Sequence, residues 1–590
     1  MTFDQAAIFA LLAASLCLFV LGTWRYDVVA LLALLSATLL GIVPADRAFA
    51  GFGHPAVVTV AAVLVIGRAL QNSGIVDVLS HRAAGLGRGT VAQVAALTGL
   101  TALASAFMNN VGALALMMPV AIRVARERKT PPSLVLMPLA FASLLGGLTT
   151  LIGTPPNIIV ASFRERGGGE PFGLFDFTPV GGAVAVMGTL FLAFLGWRLV
   201  PRRPGVADQK EWFGIESYIT ELRVREGSPL IGQPLGALDG LLKAEVIVVG
   251  IVRGAKRLAA PSELEVLMEG DALIVEVDPG DLERVASAGG LELAGGKDLG
   301  REALRSGDVE LVEVVVKPDS PIVGKSAKSL RLRRRHGVNL LAVAREGAPL
   351  RRLGDLTFRS SDVLLLQVAG GALADTLAAL GCLPLAERGL RLGQPRKLLL
   401  GTSVFAAAVL ATTLRLLPAH VAFTAAGLAL VLLRLVSLRS AYDAIDWPVL
   451  ILLGAMLPVG EALETTGGAG LVARGVLGLS RHFPPAAALA FVLVATMSLS
   501  DVVNNAAAAV VMAPIGLAVA EGLEVSRDPF LMAVAIGASC AFLTPIGHQS
   551  NTLVMGPGGY RFGDYWRVGL PLEALIVAVA LPLLLLVWPL

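Results

Sequence analysis

Two apolar stretches of about 30 residues, 90–122 and 485–519, are each broken at mid-length by an asparagine pair, Asn109–Asn110 in one and Asn504–Asn505 in the other. A half of roughly 15 residues reaches about 22 Å as a helix, short of the roughly 30 Å of hydrocarbon in a bilayer. Neither half crosses alone, and amides are costly when left unpartnered in lipid, so each stretch predicts a re-entrant hairpin with its polar tip near the midplane. Apolar runs long enough to cross lie near 6–22, 28–44, 55–72, 132–163, 178–199, 399–417, 420–437, 448–464, 529–556 and 569–589. With 55% hydrophobic and 16% charged residues, most of the chain must sit in lipid.

The two sets of runs superpose as an internal repeat. Gly67, Ala69, Leu70 and Gly74 match Gly460, Ala462, Leu463 and Gly467; Asn109, Asn110 and Pro119 match Asn504, Asn505 and Pro514; Gly153 and Asn157 match Gly547 and Asn551, always 393 to 395 residues apart. The expected fold is therefore an α-helical polytopic membrane protein of two repeats, 1–200 and 397–590. Each has five transmembrane helices plus one hairpin, about 90–126 and about 485–520. An odd number of crossings inverts the second copy relative to the first. Met1 to Gln5 lacks the basic start of a signal peptide, so 6–22 is read as a helix. Placing both termini outside gathers most basic residues inside, including Arg25, Arg68, Arg123, Arg126, Arg128, Arg198, Arg202, Arg203, Arg434, Arg439, Arg561 and Arg567. The expected location is the inner (plasma) membrane.

Between the copies, about 201–396 has soluble composition, with short alternating runs and glycine-rich turns, and falls on the inside. It repeats as well: ELRVREGSPLIG from Glu221 resembles VEVVVKPDSPIVG from Val312, and GDALIVEV at 270 parallels SDVLLLQV at 361. Two mixed α/β domains, 210–296 and 304–388, are expected in the cytoplasm.

Each membrane copy has a second break, TLIGTPPN at 150–157 and LTPIGHQSN at 543–551, where proline and glycine release backbone carbonyls that a cation can satisfy. The half-helices beginning after Asn110 and Asn505 direct free N–H groups and positive dipole ends at the same cavity. Cation ligands and anion donors thus lie side by side.

These motifs resemble the divalent anion/sodium symporter family of the ion transporter superfamily, and the inserted domains resemble tandem TrkA C-terminal (RCK-C) domains. The family's Ser-Asn-Thr tip is matched by Asn109-Asn110-Val111 and Asn504-Asn505-Ala506. The resemblance implies substrate contacts from Asn109, Asn110, Val111, Gly112, Thr154, Asn157, Asn504, Asn505, Ala506, Ala507, His548, Gln549, Ser550 and Asn551. It implies sodium ligation through Ser105, Asn110, Gly153, Ser500, Asn505 and Gly547, with sodium as coupling ion and no other cofactor. It further implies a homodimer working by an elevator movement, with a cytoplasmic small-molecule regulator on the RCK-C-like domains. Val111 and Ala506 carry no hydroxyl for a carboxylate, which tilts the expected cargo from a C4-dicarboxylate to a compact oxyanion such as sulfate. His548, Gln549 and Ser550 stand where the first copy has Thr154, Pro155 and Pro156, so the more selective contacts are expected in the second half.

The net charge of +3 forms no nucleic-acid-like stripe, and Cys17, Cys382 and Cys540 have neither metal nor disulfide spacing. No nucleophile, base and orienting partner are recognisable, so an enzyme is not expected. A cation/proton antiporter, with Asp501 titrating, is the alternative within the superfamily. An RCK-regulated potassium channel or channel regulator is the alternative of another class, but no TVGYG-like filter is present. Arg331, Arg333, Arg334 and Arg335 read as a solvated face of the insert.

Overall fold

The computed structural model describes the chain except residues 22–23, 74–88, 129, 167, 171, 204–218, 239–241, 243–246, 255, 260–263, 277–281, 294–308, 331, 333–336, 346–347, 351–355, 370–372, 386–394, 469 and 472–483. Gly74, Arg331, Arg333, Arg334 and Arg335 therefore lie outside the described residues. Among the described residues six helices are long and apolar enough to cross a membrane, or seven if a pair bent by 55° near residue 445 counts as one span.

The first half holds α1 (Phe3–Leu21), α2 (Tyr26–Leu39), α3 (Pro55–Asn72), α4 (Thr90–Ser105), α5 (Asn110–Glu127), α6 (Ser133–Gly147), α7 (Pro155–Arg166) and α8 (Thr178–Leu199). Helix α2 stops short of the apolar run that contains it, because Gly41 takes φ +75 and its N–H turns back to the Thr38 carbonyl. The long run 132–163 is two half-helices, α6 and α7, separated by the unwound stretch 148–154.

The insert forms two antiparallel five-stranded sheets. The first has β1 (Ile219–Val224), β2 (Ile247–Arg253), β3 (Lys256–Ala259), β4 (Ala272–Glu276) and β5 (Leu291–Leu293), ordered β3-β2-β4-β1-β5, with α9 (Leu282–Gly289) before its last strand. The second has β6 (Val309–Val316), β7 (Val338–Arg345), β8 (Ala348–Leu350), β9 (Val363–Ala369), α10 (Leu373–Leu380) and β10 (Cys382–Pro384), in the same order read from the other end. Matching bonds fasten both: Arg253 Nε and Arg345 Nε each donate over 2.8 Å to a fully buried aspartate, Asp271 and Asp362. Ser228 and Ser320 each donate over 2.6 Å to the carbonyl ending the helix, at Gly289 and Leu380.

The second half holds α11 (Pro395–Thr413), α12 (Ala419–Leu432), α13 (Leu438–Ala444), α14 (Trp447–Thr465), α15 (Pro485–Ser500), α16 (Asn505–Gly522), α17 (Asp528–Ser539), α18 (Gln549–Gly558) and α19 (Tyr565–Val587). Short α13, too polar to stand out as an apolar run, meets α14 at the 55° bend.

Burial sorts these helices. Every residue of α6 is buried, and every residue of α17 but its first, Asp528, whereas only 17% of the α1 span and 11% of the α11 span are. The buried half-helices exchange partners across the halves: α18 packs on α6, and α7 packs on α16 and α17. Small residues allow the close crossings, as where Gly146 of α6 lies against the Ala102 backbone of α4. At one end of the bundle Arg164 of α7 grips Asp528 of α17 through Nε at 2.8 Å and Nη2 at 2.6 Å.

Candidate functional site

Both asparagine pairs work the same way. Asn109 and Asn504 have extended backbones and accept from Val111 N at 2.8 Å and Ala506 N at 2.9 Å, capping α5 and α16. Asn110 and Asn505, one residue on, turn inward beside Ser105 and Ser500: the serine Oγ atoms lie 2.9 and 3.0 Å from the amide oxygens. Each serine also donates across to the unbroken half-helix, to Ser143 O at 2.6 Å and to Ala538 O at 2.5 Å.

The unwound stretches satisfy themselves with the asparagine that follows. Asn157 Nδ2 donates to Gly147 O and Thr150 O at 3.2 and 2.8 Å, and Asn551 Nδ2 donates to Ala541 O and Thr544 O at 2.7 and 3.2 Å. Thr150 and Thr544 donate to the first tip carbonyls, Ala106 O and Asp501 O, tying break to hairpin in each half. These bonds occupy carbonyls that unwinding frees.

Asn110 stands out. One terminal atom of its amide faces only oxygens: Ser105 Oγ at 2.9 Å, Ser143 O at 3.1 Å and Gly153 O at 3.3 Å. An NH2 group there donates to all three, whereas an amide oxygen there completes a set of four oxygens, the ligand chemistry of a hard cation. Its other side is 3.5 Å from His548 Nε2. His548 caps α18, its Nδ1 accepting from Ser550 N at 3.0 Å, so the neutral ring carries its proton on Nε2. That proton points to the asparagine.

One cavity of about 60 Å³ gathers the tips and the breaks: Asn109, Asn110, Val111, Thr154, Asn504, Asn505, Ala506, His548 and Gln549 line it. Four helix N-termini, those of α5, α7, α16 and α18, meet there. Thr154 Oγ1 and Asn505 Nδ2, on residues 2% and 4% exposed, have no hydrogen-bond partner. Gly112, Ala507, Asn157, Ser550 and Asn551 are not part of the wall. A residue one step along a helix is turned by about 100°, so Gly112 meets Gln71 Nε2 instead, and Ala507 is fully buried. The rest of the wall is Tyr26, Val60, Leu64, Pro155, Asp446 and Val449, and of these the sequence motifs point to none but Pro155. Tyr26 and Asp446 begin α2 and α14, far from either motif, and nothing local marks them.

Asp501 lies behind the wall, accepting from Leu543 N at 2.8 Å, while Glu573 of α19 accepts from Phe542 N at 3.4 Å. Both carboxylates hold the second unwound stretch. Among the described residues no cluster of three or more His, Cys, Asp or Glu side chains suits a metal ion.

The sequence is similar to those of known transporters. An uncharacterised transporter of Synechocystis is 31% identical over 585 residues, covering 98% of this chain and 95% of the relative. An uncharacterised transporter of Escherichia coli, YfbS, is 32% identical over 608 residues, covering 99% of each. Sodium/sulfate cotransporter 2 of Chlamydomonas reinhardtii is 26% identical over 380 residues, covering 62% of this chain and 42% of the relative. The citrate transporter family profile matches residues 16–537 and 489–590, and the chain, a multi-pass membrane protein, belongs to that transporter family.

Proposed function

We propose that the chain is a secondary transporter that couples entry of a small divalent anion, sulfate in preference to a dicarboxylate, to sodium. The observation that carries this reading is the meeting of four half-helix N-termini at one cavity, where Thr154 Oγ1 and Asn505 Nδ2 stand buried and unpartnered. Free N–H groups at the N-termini of α5, α16 and α18 hold an oxyanion without a basic side chain, while α7, opening on Pro155–Pro156, contributes its dipole and Thr154. With Val111 and Ala506 offering no hydroxyl, the donors suit a compact anion. Sodium replaces the Asn110 NH2 group among Ser105 Oγ and Gly153 O by drawing the amide oxygen round to face it, and a counterpart site falls to Ser500 and Asn505 with Gly547 beside them. The names of the Chlamydomonas relatives, sodium/sulfate cotransporters, support the same pair of solutes.

In this reading the halves are inverted repeats and the tips ride an elevator movement within a homodimer. The insert is a pair of RCK-C-like regulatory domains on the cytoplasmic side of the inner membrane, with both termini outside. Proteoliposomes loaded with and without a sodium gradient and offered labelled sulfate, succinate or citrate test it. Sodium-driven sulfate uptake exceeding that of the carboxylates is expected. Uptake driven by a pH gradient alone overturns the coupling, and a preference for citrate overturns the cargo.

A further inference from the structure

The two inserted sheets share a topology but not their surroundings. The turn before the fourth strand is Gly270–Asp271 in the first domain, with Gly270 at φ +79, as suits a left-handed position. In the second domain the equivalent residue is Ser361, held at φ 69, where a side chain is disfavoured. The strain has a visible use. Ser361 Oγ donates to the carbonyl of Thr552 in α18, and its own carbonyl presses onto Gly556, leaving no room for a β-carbon there. Val363, Val315, Leu365 and Ala342 of the same domain join the apolar core of the membrane helices.

A second contact falls on the first hairpin. Glu313 of β6 pairs with Arg126, at the end of α5, at 2.8 Å. In the first domain the equivalent acid, Glu221, is buried, 6% exposed, with Oε2 unpartnered. The second domain thus touches α5, which begins at a tip asparagine, and α18, which begins at a break.

We propose that the second inserted domain is an autoinhibitory lock, which holds α5 and α18 against movement through Glu313 and the Ser361 turn, and that transport reaches full rate only when this domain lifts. The ion pair is 37% exposed on the arginine side, and such pairs are weak, so the lock is reversible. The inference rests on the cavity being a transport site, not on its cargo.

The test compares full-length Arg126→Glu, Glu313→Arg and the double charge swap, with Gly556→Ala as an independent way of lifting the turn. The first readout is sodium-driven uptake of labelled sulfate into proteoliposomes. The second needs no substrate: labelling of Leu64→Cys in the cavity by an impermeant maleimide, on a Cys17→Ser background. Both single variants and Gly556→Ala should raise the initial rate and the labelling about two- to fivefold, and the charge swap should return both towards the starting protein. Unchanged labelling in the single variants, or a swap that restores nothing, overturns the lock. Labelling that responds while no protein takes up sulfate sustains the lock and removes sulfate as the cargo.

Discussion

Thr154 carries the residue-scale argument. A buried hydroxyl without a partner costs about 1–3 kcal/mol relative to a satisfied one, and Thr154 Oγ1 is in that position at the cavity wall. A ligand that accepts or donates there recovers the loss. Thr154→Val should therefore leave thermal stability equal or raised while weakening uptake by roughly tenfold in KM, following the same hydrogen-bond scale. Paired melting and uptake measurements check this, and an unaltered KM would return Thr154 to the core. The tip motif announced which residues to examine, but not their division of labour. Asn109 and Asn504 spend their oxygens on helix caps, and Asn110 and Asn505 alone reach the serines. Adjacent asparagines look equivalent in a sequence, and only the turn of the backbone separates them.

At the scale of elements, the site depends on half-helices that pack closely enough to bury their ends. A β-carbon on Gly146 would stand 2.6 Å from the Ala102 Cα and closer still to its carbonyl, so α4 and α6 cannot meet as they do with a larger residue there. Gly146→Ala should lower stability by about 1–3 kcal/mol, the range for overpacking. Gly67→Ala, where a β-carbon meets nothing within 4 Å, serves as the control and should melt with the unaltered protein. Equal melting of the two in detergent would show that the crossing adapts. Here the sequence was informative about lengths and breaks. The apolar runs at 55–72 and 178–199 coincide with α3 and α8, because desolvation is a local demand that each span meets by itself. The end of α2 at Leu39 and the short α13 were not legible, since a turn at Gly41 and a polar surface helix leave no trace in hydropathy.

At the scale of the whole molecule, the insert is more than a separate pair of domains, because its second sheet shares apolar core with the membrane helices. Removing residues 205–390 with assembly preserved should therefore raise the uptake rate, by at least the two- to fivefold expected of the single contacts. An uptake assay on purified protein, with size-exclusion chromatography to verify assembly, decides it. A lower rate in a well-assembled protein would mean that the insert supports transport.

By itself the sequence determined where the chain must enter an apolar layer, where it must break, and that two distant segments repeat one pattern. These properties follow from hydropathy, chain length and the backbone chemistry of asparagine, proline and glycine over a few turns. That tips and breaks share one cavity was already an expectation of the repeat, but tertiary structure alone decided that Tyr26 and Asp446 complete its wall and that Ser361 seats the insert on Gly556. Those contacts join residues tens to hundreds of positions apart. Their energy comes from shape and hydrogen bonds between surfaces that exist only once every element has packed.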